Sequence, residues 1–254
     1  NISIDDIYLL ENTLTKSYAK AVISVIKELN ISPTRIRAIG CHGQTIRHNP
    51  DKGYSIQLVN GSLLAELTNI KAIVDFRSRD IAAGGQGAPL TPAFHGAIFG
   101  HENIHRVIVN IGGMANLTNL NPREPVTGFD TGPGNYLLDS YVKVMTGDSF
   151  DDKGKWAISG TVNNALLKKL KQHDFLQQLP PKSCSNEQFN LAWVKSLAPK
   201  LIKPIDMQAT LLEFTAQSII NAQKRYCPTA DEIYVCGGGA KNDFLMERLI
   251  DLSG

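Results

Sequence analysis

Arg106-Val107-Ile108-Val109-Asn110-Ile111-Gly112-Gly113 opens, and Gly128-Phe129-Asp130-Thr131-Gly132-Pro133-Gly134-Asn135 continues, the stretch Arg106 to Gly147 on which the fold turns. The β-branched run Val107, Ile108, Val109 before paired glycines reads as a buried strand that ends where backbone approaches a ligand. Met114 to Leu120 reads as a polar, hairpin-like segment. The second segment places one carboxylate, Asp130, among residues that force a tight turn, and a helix-like run, Tyr136 to Val144, follows. Glycines without Cβ let backbone N–H groups converge on an anion, and a helix N-terminus aims at the same place. Asp130 is therefore a candidate base or magnesium anchor; a capping Asp at a helix start explains the same residues equally well.

Working outward, Asp5 to Leu29 reads as an amphipathic helix with Leu9, Leu10, Leu14, Tyr18, Val22 and Ile26 near one face. Arg35 to Ile39 reads as a short strand entering the glycine-bracketed loop Gly40-Cys41-His42-Gly43-Gln44-Thr45. Tyr54 to Leu58 is a strand, Gly61 to Asn69 a helix, and Lys71 to Phe76 another strand. Arg77, Ser78, Arg79 and Asp80 then flank a glycine-rich loop, a composition that suits an anionic or hydroxyl-rich ligand. Leu90 to Phe99 reads as a helix begun near Thr91-Pro92. Beyond the central stretch, helices are expected over Asn163 to Leu176, Phe189 to Leu197, Pro204 to Arg225 and Asp243 to Asp251. The polar segment Gln177 to Asn190 reads as a loop, and Glu232 to Val235 as a strand entering Cys236-Gly237-Gly238-Gly239-Ala240-Lys241-Asn242. Three strand-then-glycine units thus recur, around Gly40, Gly112 and Gly237.

Composition narrows the classes. The 254 residues are 43% hydrophobic and 20% charged, ordinary globular material for one large or two modest domains. With 26 basic and 24 acidic residues and no basic run, nucleic acid is not expected as a partner. Cys41, Cys184, Cys227 and Cys236 are scattered, which argues against a zinc site or a disulfide framework. No apolar run approaches the ~18 residues that span a bilayer, and Asn1 to Tyr8 does not resemble an export signal.

Taken together in order, His42-Gly43-Gln44-Thr45 with its flanking Gly40-Cys41, Asp75 to Leu90, Asn110-Ile111-Gly112-Gly113-Met114-Ala115-Asn116, Gly128 to Asn135, and Cys236 to Asn242 resemble the anhydro-N-acetylmuramic acid kinase family. The resemblance implies membership of the sugar kinase, actin and heat-shock chaperone ATPase superfamily. It implies an α/β fold of two ribonuclease-H-like domains with mixed sheets and an interdomain cleft, here incomplete at both ends. The domains are then expected at 1–104, with the sugar-pocket loops, and 105–254, with the phosphate hairpin, the catalytic Asp and the adenosine loop. The implied reaction cleaves the 1,6-anhydro bridge of anhydro-N-acetylmuramic acid and phosphorylates O6 with ATP, giving N-acetylmuramic acid 6-phosphate and ADP in cytoplasmic, bacterial peptidoglycan recycling.

By the same resemblance Asp130 is the general base, and Gly112, Gly113, Asn116, Gly237, Gly238, Gly239 and Asn242 bind nucleotide. His42, Gln44, Thr45, Arg77 and Asp80 line the sugar pocket. ATP and Mg2+ are the expected cofactors, with no metal ligand assigned; the expected partners are the amino sugar, ATP and a second copy of the chain. The pattern departs from the family at two internal places: Cys184-Ser185-Asn186 stands where a Thr-Gly-Arg-like triplet is usual, and Lys153 where an acidic residue is usual. The family's first phosphate loop has no counterpart in Asn1 to Leu29, so weak ATP binding and near-background turnover are expected of this stretch by itself. Two other readings stay open: a non-catalytic actin-like nucleotide-binding scaffold or sensor, and a Rossmann-type oxidoreductase, whose G-x-G-x-x-G pattern neither glycine loop carries.

Overall fold

A computed structural model describes residues 3–254; Asn1 and Ile2, the first residues of the segment read as unlike an export signal, lie outside the described residues. The chain divides into two compact units, Asn1–Gly87 and Ala88–Gly254.

The first unit opens with helix α1 (Ile4–Glu28). A reciprocal capping box starts it: the Asp6 N–H donates to Ser3 Oγ at 3.1 Å, and the Ser3 N–H donates to Asp6 Oδ2 at 3.0 Å. Thr15 and Ala19 are its buried residues, whereas Leu9 and Leu10, expected on the covered face, stand exposed. Strands β1 (Ile39–Gly40), β2 (Gln44–Asn49) and β3 (Tyr54–Leu58) follow, then α2 (Gly61–Thr68), β4 (Ala72–Ile73) and α3 (Ser78–Ala82). β1 pairs parallel with β4, and β2 antiparallel with β3. Two expected strands, 35–39 and 71–76, shrink to two-residue pairings, because Pro33–Arg35 forms a helical turn and Asp75 takes a left-handed φ of 56°. Gln44 and Thr45, expected in a loop, belong to β2 and face Leu58 and Gln57 across the hairpin.

The second unit begins with α4 (Pro92–Phe99), which lies on the sheet and carries the buried His95 to within 2.8 Å of Thr118 Oγ1. That packing puts residues 88–104 with the second unit, so the unit boundary precedes the expected 104/105 border. Strands β5 (Arg106–Ile111), β6 (Met114–Leu120) and β7 (Thr127–Pro133) form an antiparallel meander. Helices α5 (Asn135–Met145), α6 (Lys155–Ile158), α7 (Asn164–Leu170), α8 (Asp174–Gln177), α9 (Leu191–Leu197) and α10 (Pro204–Tyr226) come next, then β8 (Glu232–Cys236) and α11 (Asp243–Ser253). The sheet order is β7-β6-β5-β8, with β8 parallel to β5. Three antiparallel strands followed by a parallel fourth are the ribonuclease-H-like arrangement and not the all-parallel sheet of a Rossmann domain, so the oxidoreductase reading fails on topology.

Burial follows strand periodicity. Val107, Val109 and Ile111 point into the core that also holds Leu211, Leu212 and Phe214 of α10, while Ile108 points to the opposite face and is also buried. Both faces of β5 are covered, which is why its apolar run does not alternate with polar residues. The single helix expected over 163–176 is broken: α7 stops at Leu170, and His173 caps α8 by accepting from the Phe175 N–H at 3.2 Å.

Candidate nucleotide and catalytic site

β5 and β8 are parallel neighbours, so their glycine turns, Gly112-Gly113 and Gly237-Gly238-Gly239, emerge at the same sheet edge. Backbone bonds fix the first turn against the start of α5. Asn135 N–H donates to Gly112 O at 2.8 Å, and the N–H groups of Gly134 and Tyr136 donate to Gly113 O at 2.9 and 3.0 Å. The second turn leans on the end of β5. Gly237 has a left-handed φ of 85°, and a Cβ there would lie 2.7 Å from both Ile111 O and Asn110 Oδ1. Only glycine meets both demands. A Cβ on Gly113, by contrast, would make only an ordinary contact, with Tyr136 Cβ at 3.8 Å.

Two residues outside the expected set join this edge. Asn135 donates from Nδ2 to Ile111 O at 3.2 Å and lines a pocket together with Gly238 of the glycine loop. Asp139 lies one helical turn further along the same face of α5. With Phe150, Gly238, Lys241 and Asn242 they line a pocket of about 500 Å³, within the range of small-molecule sites. Burial pushes the Asp139 carboxyl up to about 6. The i,i+4 Asn/Asp pair opening a helix after a glycine turn was the sequence signal for both. Asn242 caps α11, its Oδ1 accepting from Leu245 N–H at 3.0 Å, while also lining the pocket.

Asp130 sits within strand β7 and not in the expected tight turn. It is only 6% exposed, and its Oδ2 accepts from the Cys184 N–H at 2.9 Å, while its own N–H donates to Lys182 O at 3.0 Å. The residue that caps α5 is Gly134, so Asp130 is no helix cap. Its cross-strand partner is Asn116, whose buried Oδ1 has no hydrogen-bond partner. A buried orphan acceptor opposite a buried carboxylate marks a place for a ligand donor or a water. Burial, with the Asp130 charge beside it, pushes the Cys184 thiol well up, so that the sulfur stays protonated.

In the first unit His42, Arg77 and Asp80 converge on one loop. Arg77 Nε can only donate, and it donates to His42 Nε2 at 2.9 Å. In the tautomer that accepts from Arg77, His42 Nδ1 donates to Gly43 O at 2.8 Å. Arg77 also donates from Nη1 to Gly87 O, and Asp80 Oδ2 accepts from the Gly87 N–H at 2.7 Å. Gln44 and Thr45 stand apart from this cluster on β2; Thr45 Oγ1 accepts from Gln57 Nε2 at 3.2 Å.

A profile of the anhydro-N-acetylmuramic acid kinase family matches residues 2–253. The chain belongs to this family. Anhydro-N-acetylmuramic acid kinases from Thiobacillus denitrificans and Nitrosospira multiformis are 52% and 50% identical to it, in each case over 96% of the chain. The matches cover 66% and 68% of those relatives, so the chain spans about two thirds of their length. Among solved structures, an activator of 2-hydroxyisocaproyl-CoA dehydratase from Clostridium difficile aligns at 15% identity with a TM-score of 0.42, over 85% of this chain and 84% of that one, too distant to carry an argument. Among the described residues no helix of this family member is long and apolar enough to cross a membrane, and no cluster of three or more His, Cys, Asp or Glu is placed to hold a metal ion.

Proposed function

We propose that the protein is a bacterial cytoplasmic kinase that opens the anhydro ring of anhydro-N-acetylmuramic acid with water and phosphorylates O6, serving peptidoglycan recycling. The observation that carries the reading is Asp130, a buried carboxylate held by a backbone N–H beside a glycine-walled sheet edge, in a chain of this family. Asp130 takes a proton from water as the water oxygen bonds to the anomeric carbon. The bond from that carbon to O6 breaks, and O6 accepts the γ-phosphoryl group, leaving ADP. ATP would supply the phosphoryl group, and Mg2+ would neutralise charge on its phosphates. The residues fit both: the Gly112-Gly113 turn, whose backbone carries no side chain, and the pocket beside Gly238 suit a nucleotide, and Asp130 and Asn116 Oδ1 are hard oxygen donors. Magnesium that keeps waters and phosphate oxygens needs no protein cage. His42, Arg77 and Asp80 are proposed to receive the sugar.

Sugar-dependent ADP release, measured on a parent protein that spans the full length of its relatives, tests this. Asp130→Asn keeps an oxygen that can accept from Cys184 N–H but removes basicity. It should lower kcat by at least ~10²-fold, with ATP affinity and melting temperature nearly unchanged. A folded variant that retains most of its parent's rate would remove Asp130 from the chemistry.

A further inference from the structure

A second cavity of the Ala88–Gly254 unit, about 200 Å³, shares no lining residue with the pocket beside Gly238. Three cations line it from three segments: Lys171 at the end of α7, Lys182 in the loop after α8, and Arg225 on α10. No carboxylate lines it, and none of the three takes part in an ion pair among the described residues. Gln177 and Asn221 add amide groups.

Lys182 is the unusual member. It is 5% exposed, yet among the described residues its ammonium has a single protein acceptor, Phe175 O at 3.1 Å, and otherwise sits 4.6 Å from the centre of the Phe175 ring. An ammonium has three donors, and a buried charge normally has an ionic partner. Lys171 Nζ donates to Gln217 Oε1 at 2.6 Å, and Arg225 lies over the Tyr226 ring at 5.2 Å. Both are therefore oriented without being neutralised. Burial lowers the Lys182 ammonium's pKa, and the nearby Arg225 charge adds to the lowering, against the opposing pull of Cys184 and Asp130.

We propose that this cavity is a binding site for a small oxyanion, a phosphate monoester or a carboxylate, gripped by Lys171, Lys182 and Arg225. The volume lies below the ~300–1,000 Å³ of typical small-molecule sites, which suits one anionic head and not a nucleoside triphosphate. The site does not depend on the kinase reading. An anion there would satisfy the unspent donors of Lys182 and relieve its repulsion with Arg225.

Calorimetric titration with inorganic phosphate, and separately with lactate, at ionic strength held constant with chloride, tests the proposal. Saturable one-site binding is expected, weakened about tenfold or more in Arg225→Gln and in Lys171→Gln, as for a lost charged hydrogen bond. Preference for phosphate identifies a phosphate monoester as the physiological head, and preference for lactate a carboxylate. Lys182→Gln should abolish binding; if it fails to fold, the two more exposed positions still decide. Absence of saturable binding to either anion, or isotherms unchanged in both Lys171→Gln and Arg225→Gln, would overturn the site.

Discussion

The two units hold their motif loops by different means. In the second, the glycine turns are tied chiefly by backbone: Gly112 and Gly113 carbonyls receive the first amides of α5, and Gly237 packs on the last peptide of β5. In the first, the loop ending at Gly87 is tied by side chains, through Arg77, His42 and Asp80. Glycine turns on a four-stranded sheet therefore owe their shape to space and φ. The other loop owes its shape to charges that a sugar site would also use. Arg77 and Asp80 are scaffolding before they are ligand contacts.

The largest expected effect comes from breaking the backbone-held turn. Gly237→Ala places a methyl against Ile111 O and Asn110 Oδ1 and strains a left-handed φ. The loss of stability should be about 3 kcal/mol, read as a lower urea midpoint at unchanged slope. A loss under about 1 kcal/mol would mean that β8 shifts freely past β5, and the rigidity ascribed to this edge would be wrong.

This contrast also explains what the sequence made legible. Periodicity found β3, α5, α10 and the strands entering the Gly112 and Gly237 turns, because each is a local pattern with a covered face. Asp130 was misplaced because Gly128, Gly132, Pro133 and Gly134 read as a turn. The first three lie in a strand with a bulge, in which Thr131 is the extra residue between the Ala115–Gly132 and Asn116–Asp130 pairs, and Gly132 takes φ 141°, while Gly134 caps α5. The resemblance carried the glycine loops, since backbone approach needs glycine whatever surrounds it. Asn135 and Asp139 escaped because their importance depends on α5 lying beside the β8 turn, a contact made across a hundred residues of chain. Lys182 escaped for the same reason: nothing local in its proline-flanked loop announces that the side chain is buried.

The second unit also uses charge clamps, and the one between α10 and α11 sharpens the comparison. Arg248 of α11 donates from Nε to Glu213 Oε2 of α10 at 2.9 Å and from Nη2 to Oε1 at 3.3 Å, and Gln217 Nε2 donates to Oε1 at 2.7 Å. Burial pushes the Glu213 carboxyl up, but the bonds from Arg248 and Gln217 outweigh it and hold the group below its usual 4.5. A lowered folded pKa gives stability that is full above the unfolded value and is lost as pH falls through the folded one. Arg248→Met should cost about 2 kcal/mol at pH 7, less than for a fully enclosed pair because Arg248 reaches solvent. The difference in melting temperature from the parent should shrink below about pH 4.5. A difference independent of pH would assign the loss to packing and not to the ion pair.

The smallest effect is the most local, and it tests the side-chain-held loop directly. Asp80 accepts from the Gly87 amide at 2.7 Å, the bond that closes the glycine-rich loop, while Arg77 holds the Gly87 carbonyl on the other side of the same residue. Asp80→Ala removes the acceptor and should open this loop without unfolding the unit, at about 1.4 kcal/mol, or roughly tenfold faster hydrogen exchange at the Gly87 amide. Asp80→Asn keeps an oxygen in place and should give an intermediate rate, because the bond survives without its charge assistance. The amides of Gly134 and Asn135 should exchange as in the parent, since their acceptors are the Gly112 and Gly113 carbonyls. If Gly87 exchanges equally fast in all three proteins, its protection comes from backbone packing, and the distinction between the two kinds of loop collapses. If Gly134 and Asn135 also speed up, the loops are coupled and cannot be treated as separately held.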